Sequence, residues 1–169
     1  AGRYPEKVKK VILIDSAGFF FVVPWLLMTM AFPLSPLISR TMKFPRGAFK
    51  AVLKQVYGNP DRLRKEKLNL YYDLMMREGN RSSGARVVHY IRNNIGFRTG
   101  YMKGITQPTL VMWGRKDRWI PVRHVKEFCS KIRNCRSVIY DDAGHMPMEE
   151  LPEITAQDAR EFLLADNNR

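Results

Sequence analysis

Apolar residues fall along this chain in two rhythms, and the change between them marks its organisation. Val11-Ile12-Leu13-Ile14 is a continuous apolar run that stops at Ser16-Ala17-Gly18. Such a run is the pattern of a strand buried on both faces of a parallel sheet. Thr109 to Trp113 is a second run, opened by Pro108 and stopped by Gly114; Ser137-Val138-Ile139-Tyr140 is a third, stopped at Asp141. Between these two, Val122, Val125, Cys129 and Ile132 recur at helical spacing, the buried face of a helix begun at Pro121. Residues 108–140 therefore read as a strand–helix–strand unit. A final helix starts near Pro152, a good first-turn residue, and places Ala156, Ala159 and Leu163 on one face.

Residues 19–104 follow the other rhythm. Leu68, Tyr71, Tyr72 and Met75 have helical spacing, as do Val87 or Val88 with Ile91 and Ile95. Gly58-Asn59-Pro60-Asp61 and the stretch Gly79 to Gly84 read as breaks. The expected architecture is α/β: a parallel sheet of three strands carrying an all-helical insertion. Residues 1–18 and 105–169 supply the core, and 19–104 the insertion.

Charge sharpens this division. The chain of 169 residues carries a net charge of +13, and residues 19–104 hold fifteen basic against four acidic residues. Such an excess suits nucleic acid, an anionic membrane surface or an acidic substrate. No zinc-finger spacing, helix-turn-helix pattern or aromatic RNA-binding strand accompanies it, so a solvated basic face is the reading and no nucleic-acid partner is expected. Ser16 to Ser39 contains no charge at all, and ~20 apolar residues suffice to span a bilayer. Pro24, Pro33 and Pro36 argue instead for an apolar lid hairpin. The first residue is Ala, which reads as a processed chain or a piece of a longer one, with no leader ahead of the first strand. Cys129 and Cys135 read as buried free thiols, which favours a reducing compartment. A cytoplasmic location, with peripheral membrane contact possible through the basic segment, is the expectation.

Two loops hold the candidate chemistry: Trp113 to Pro121, and Asp142 to Pro147. Each follows the carboxyl end of an expected strand, the edge at which open α/β sheets collect their ligands. Neighbouring strand ends lie only ~5 Å apart, so Asp117 and His145 can meet there. A carboxylate bonded to one ring nitrogen of an imidazole fixes its tautomer and leaves the other nitrogen as a base. Alone, an Asp in one loop and a His in another say little, since most such residues are merely solvated.

Three segments in order carry a resemblance that adds to this reading. Pro108 to Pro121 (PTLVMWGRKDRWIP) and Gly144 to Glu153 (GHMPMEELPE) resemble the strand-seven and strand-eight signatures of the α/β-hydrolase family. Arg3 to Gly18 is similar to the end of the helix after the nucleophile, followed by strand six. Gln55 to Pro60 and Tyr71 to Arg81 resemble the helical cap of bacterial hydrolases. The resemblance covers essentially the whole chain. It implies that Asp117 is the acid and His145 the base of a catalytic triad, with no metal or organic cofactor. It also implies an upstream nucleophile in a Gly-x-Ser-x-Gly elbow, and the sequence contains no such motif.

The expected function is thus the carboxyl-terminal part of a serine esterase or lipase-like hydrolase of an apolar small-molecule ester. Its other half would be the missing amino-terminal part of the same fold, and this chain alone would be inactive. An Asp-nucleophile epoxide or haloalkane hydrolase is one alternative, a non-catalytic binding protein of the same fold another. Trp119 and Met146 beside the pair, and Phe20 and Trp25 from the apolar run, are candidate pocket residues; ordinary packing accounts equally well for the first two, and lid core is the commoner role for the other two. Asp15 ends strand six, where some members of the family place the triad acid, and reads here as structural or solvated. His124 reads as a surface residue and His89 as packed or half-exposed.

Overall fold

The computed structural model describes residues 1–21, 45–94 and 99–165. Three parallel strands, β1 (Val11–Ile14), β2 (Thr109–Gly114) and β3 (Cys135–Tyr140), lie side by side in that order. Val11 pairs with Thr109, and Thr109 with Cys135, so the carboxyl ends of all three strands reach one edge together. Among the described residues, three α-helices come between β1 and β2: α1 (Arg46–Val56), α2 (Lys65–Met76) and α3 (Asn80–Asn94). Helix α4 (His124–Lys131) crosses from β2 to β3, and α5 (Pro147–Glu150) and α6 (Pro152–Leu164) close the described chain.

The central strand explains why the apolar run must be continuous. Successive side chains of a strand point to opposite faces. Val111 and Trp113 pack into one core with Phe19, Phe21, Ile120, Val125, Phe128 and Ile132. Leu110 and Met112 pack into the other with Tyr140, Ala143 and Phe162. Strand β1, at the edge of the described sheet, is only half-buried throughout, although its sequence is as apolar as that of β2. Lys10, ahead of β1, donates from Nζ to the carbonyls of Phe162 and Leu163, fastening the sheet to the carboxyl end of α6.

Several local expectations shift. The inward residues of α6 are Thr155, Ala159 and Phe162, not Ala156 and Leu163. Phe162 is the bulkiest apolar group available, and seating it rotates the helix by one residue. The break at Gly79 is real, at φ 80°, but Ser82 to Gly84 belong to α3. Ser82 donates to the Gly79 carbonyl and Asn80 to the Leu74 carbonyl, so polar residues that compete with a helix interior fasten its first turn instead. His124 is fully buried, edge-on to Phe19 and Trp113, and not on the surface. Burial holds its imidazole below the ordinary range. His89 is exposed.

The cysteines are joined: Cys129 of α4 and Cys135 of β3 form a disulfide with their Cα atoms 5.2 Å apart. Cys129 does pack against the core, as its stripe implies. The turn from α4 into β3 brings Cys135 back beside it, a proximity that helical spacing does not report. The reading as free thiols is therefore corrected. Among the described residues no helix is long and apolar enough to cross a membrane. Most of the uncharged run, including Trp25, lies outside the described residues.

Candidate active site

The loop leaving β2 is wound tightly around Asp117. Oδ1 of Asp117 accepts the backbone N–H groups of Trp119 and Ile120 at 2.7 and 2.9 Å. An Asp side chain that turns back on its own backbone in this way is a standard loop-stiffening device. The Trp113 indole adds a bond to the Ile120 carbonyl at 3.2 Å. The other carboxylate oxygen, Oδ2, lies 2.8 Å from Nδ1 of His145, with the Asp117 side chain fully buried and that of His145 about a quarter exposed. Among the described residues nothing hydrogen-bonds Nε2 of His145. A buried carboxylate on Nδ1 fixes the tautomer and leaves Nε2 as the base, the geometry needed to take a proton from a nucleophile.

The His145 loop is clamped from two sides. Gly114, at the end of β2, lies so close to the loop that a Cβ there would be driven into the Ala143 and Gly144 carbonyls; at Gly144 a Cβ would strike the backbone of Val56 to Gly58. Only glycine permits these approaches. The N–H of His145 donates to the Val56 carbonyl at 2.8 Å. Glu150, 6% exposed, then grips three backbone N–H groups: Gly144 at 2.6 Å and Gly58 at 2.9 Å on Oε1, and Asn59 at 2.9 Å on Oε2. Glu149 takes the hydroxyls of Tyr57 (2.8 Å) and Tyr71. Burial disfavours the Glu149 charge, but these two hydroxyls and Lys67 outweigh it and hold the carboxyl below the ordinary range. Burial together with the Glu149 charge pushes Tyr71 up to about 12 and moves Tyr57 up as well.

The candidate pocket residues separate. Trp119 lies 5.6 Å from the His145 ring, tilted by 30°, and with Met146 packs against Leu53, Val56 and Tyr57 of α1 and its carboxyl end. Both therefore sit between the pair and the helical insertion. Phe20 is 69% exposed, while Phe19 and Phe21 turn into the core; the structure does not bring Phe20 to the pair. Trp25 lies outside the described residues.

Asp15 lies close to the pair. It ends β1 at φ 38°, is buried, and accepts the Gly114 N–H on Oδ1 at 3.0 Å. One donor atom each from Asp15, Asp117 and His145 lies within 4.8 Å of the others. That proximity would suit a cation, yet both Asp117 oxygens and Nδ1 of His145 are already engaged with protein partners. Spacing gave no hint of Glu150 as a neighbour of the pair, although it stands within the segment that carries the family resemblance; Asp15 is singled out by that resemblance alone.

The α/β hydrolase fold family model matches residues 1–152, and the chain belongs to that family. Its relatives include Lipase 1 of Psychrobacter immobilis, 27% identical over 164 residues, which cover 96% of this chain and 50% of that protein. Another is the 2-hydroxy-6-oxo-6-(2'-aminophenyl)hexa-2,4-dienoic acid hydrolase of Metapseudomonas resinovorans, 25% identical over 95% of this chain and 53% of that protein. A crystal structure of a lipase candidate from Acinetobacter baumannii AYE superposes with a TM-score of 0.74 at 28% identity, covering 97% of this chain and 55% of that one. The chain spans about half the length of the curated relatives it matches.

Proposed function

We propose that this chain is the carboxyl-terminal half of a capped serine hydrolase that cleaves an apolar ester. Asp117 orients His145, and His145 takes the proton from a serine supplied by sequence outside this chain, then returns it to the leaving group. The observation that carries this reading is the 2.8 Å pairing of a fully buried carboxylate with Nδ1 of His145 at the carboxyl edge of the sheet. Residues 19–104 act as the cap, and Trp119 and Met146 line the acyl pocket beneath it. Relatives named as lipases support an ester substrate; an Asp nucleophile, giving epoxide or haloalkane hydrolysis, is the alternative within the fold.

The cap also supports peripheral membrane contact. Arg46, Lys50 and Lys54 recur every fourth residue along α1, and with Lys65, Leu63, Leu68 and Asn69 they line a groove of about 460 Å³. A cationic groove with an apolar floor suits an anionic headgroup and the start of its acyl chain. The disulfide removes the thiol argument for a cytoplasmic location and favours an oxidising compartment.

The test joins this chain to its upstream sequence and measures hydrolysis of nitrophenyl esters of graded acyl length, with and without anionic vesicles. Turnover that rises with acyl length and requires a Ser at the elbow is the expected result. An Asp at the elbow with epoxide or haloalkane turnover would replace the ester reading. The absence of any turnover would favour a binding protein.

A further inference from the structure

Asp15 is held where a charged carboxylate is poorly provided for. Its backbone sits at φ 38°, a conformation uncommon outside glycine that clusters at functional sites. The bend ends β1 and turns the side chain under the β2 loop, where the residue is 4% exposed. Oδ1 accepts one bond, from the Gly114 N–H. Oδ2 is buried and finds no donor among the described residues. Two buried carboxyls this close do not both ionise readily, so the pair holds a proton between them. Asp117 is the better-provided anion, with two backbone N–H groups and an imidazole. The proton therefore rests on Asp15, and with it the unpartnered Oδ2 becomes a donor.

We propose that Asp15 is a positioning residue for the Asp117–His145 pair, a neutral carboxylic acid whose Oδ2–H donates to the Asp117 carboxylate. This rests on the reading of His145 as the general base. The bond adds to those that hold the Asp117 carboxylate and keeps it an acceptor toward Nδ1. The charged and titratable groups facing Asp15 agree with its neutrality: Asp117 on the β2 loop, Glu150 on α5 and Tyr140 on β3 are all acidic, and His145 is already paired with Asp117. Burial foremost, then the Asp117 and Glu150 charges, pushes the Asp15 carboxyl up to about 8 against the opposing pull of the Gly114 N–H.

The test compares Asp15→Asn and Asp15→Ala in the protein that carries this chain. Asn tolerates a positive φ, and its amide both accepts from Gly114 and donates to Asp117, so kcat should stay within about three-fold of the parent. Ala removes both bonds, and kcat should fall about 10–100-fold with KM unchanged. A readout independent of turnover is the NMR titration of the His145 ring nitrogens. In the parent these signals should show a second inflection on the alkaline side of neutrality, as Asp15 loses its proton, and Asp15→Asn should lack it. Equal kcat in the Asn and Ala variants, or identical His145 titrations in the parent and Asp15→Asn, would overturn the proposal. Should the Ala variant fail to fold, the comparison of parent with Asp15→Asn decides alone. A protein with no ester turnover but with the second inflection would sink the hydrolase reading and leave the Asp15 assignment standing.

Discussion

Removing the Glu150 carboxylate should loosen the contact between the helical insertion and the His145 loop. Its two oxygens hold the N–H groups of Gly58, Asn59 and Gly144, two on the insertion side and one directly before His145. Hydrogen bonds to a charged acceptor contribute about 1.5–3 kcal/mol each, and an orphaned buried donor costs about 1–3 kcal/mol. The three share one acceptor and are not additive, and water can reach the partly exposed Gly58 and Asn59. Glu150→Ala should therefore cost about 3–5 kcal/mol, a large part of a domain stability of about 5–15 kcal/mol. Glu150→Gln keeps the shape but turns one acceptor into a donor facing an N–H, and should cost about 1–3 kcal/mol. Urea unfolding followed by the fluorescence of the buried Trp113 measures both, with an unchanged m value as the sign that only stability has moved. Limited proteolysis should cut first between residues 57 and 64 in the Ala variant. Losses below about 0.5 kcal/mol in both variants would refute the clasp, since surface changes fall in that range.

Reducing the Cys129–Cys135 disulfide, which closes a short loop, should lower stability by roughly 2 kcal/mol, read as a drop in Tm with and without reductant. Because the folded pKa of Asp15 is raised to about 8, its stabilising neutral form is fully present below the ordinary 3.8 and is lost as pH rises through 8. Asp15→Asn cannot ionise, so its Tm relative to the parent should climb between about pH 4 and pH 8; a constant gap would contradict the shift. The 169-residue chain alone should have no measurable esterase activity and should aggregate through β1, whose half-buried apolar residues form one edge of the described sheet. Adding the upstream half should restore solubility, and a soluble, monomeric, active chain would count against the half-enzyme reading.

The elements most legible in the sequence were those whose burial is complete. Leu110 to Trp113 are apolar on both faces because cores lie on both faces, and the Pro121 helix shows its stripe because one side is wet. The same logic finds β1 as a strand, and it is half-buried because it stands at the edge of the described sheet. Register within α6 failed because Ala156 and Leu163 look as apolar as Phe162 until side-chain volume decides. The two loops of the pair were visible by their place after strands and by family resemblance. Asp15 was visible only as the end of strand six; Glu150 and the disulfide were not visible, because each acts through contacts between segments distant in sequence or folded back by a turn. A Glu that grips backbone N–H groups has no signature of its own. Its partners are glycines and loop residues whose side chains say nothing about where their N–H groups point.

Asp117 and His145, as the acid–base unit of an ester hydrolase, should each control kcat, measured for a nitrophenyl ester in the protein that carries this chain, parent against His145→Ala and Asp117→Asn. With the base removed, or left in the wrong tautomer, kcat should fall by about 10³–10⁴ or more while KM moves little and the melting curve stays cooperative. Turnover within about ten-fold of the parent in a folded His145→Ala protein would contradict the assignment and leave the 2.8 Å pair a structural contact.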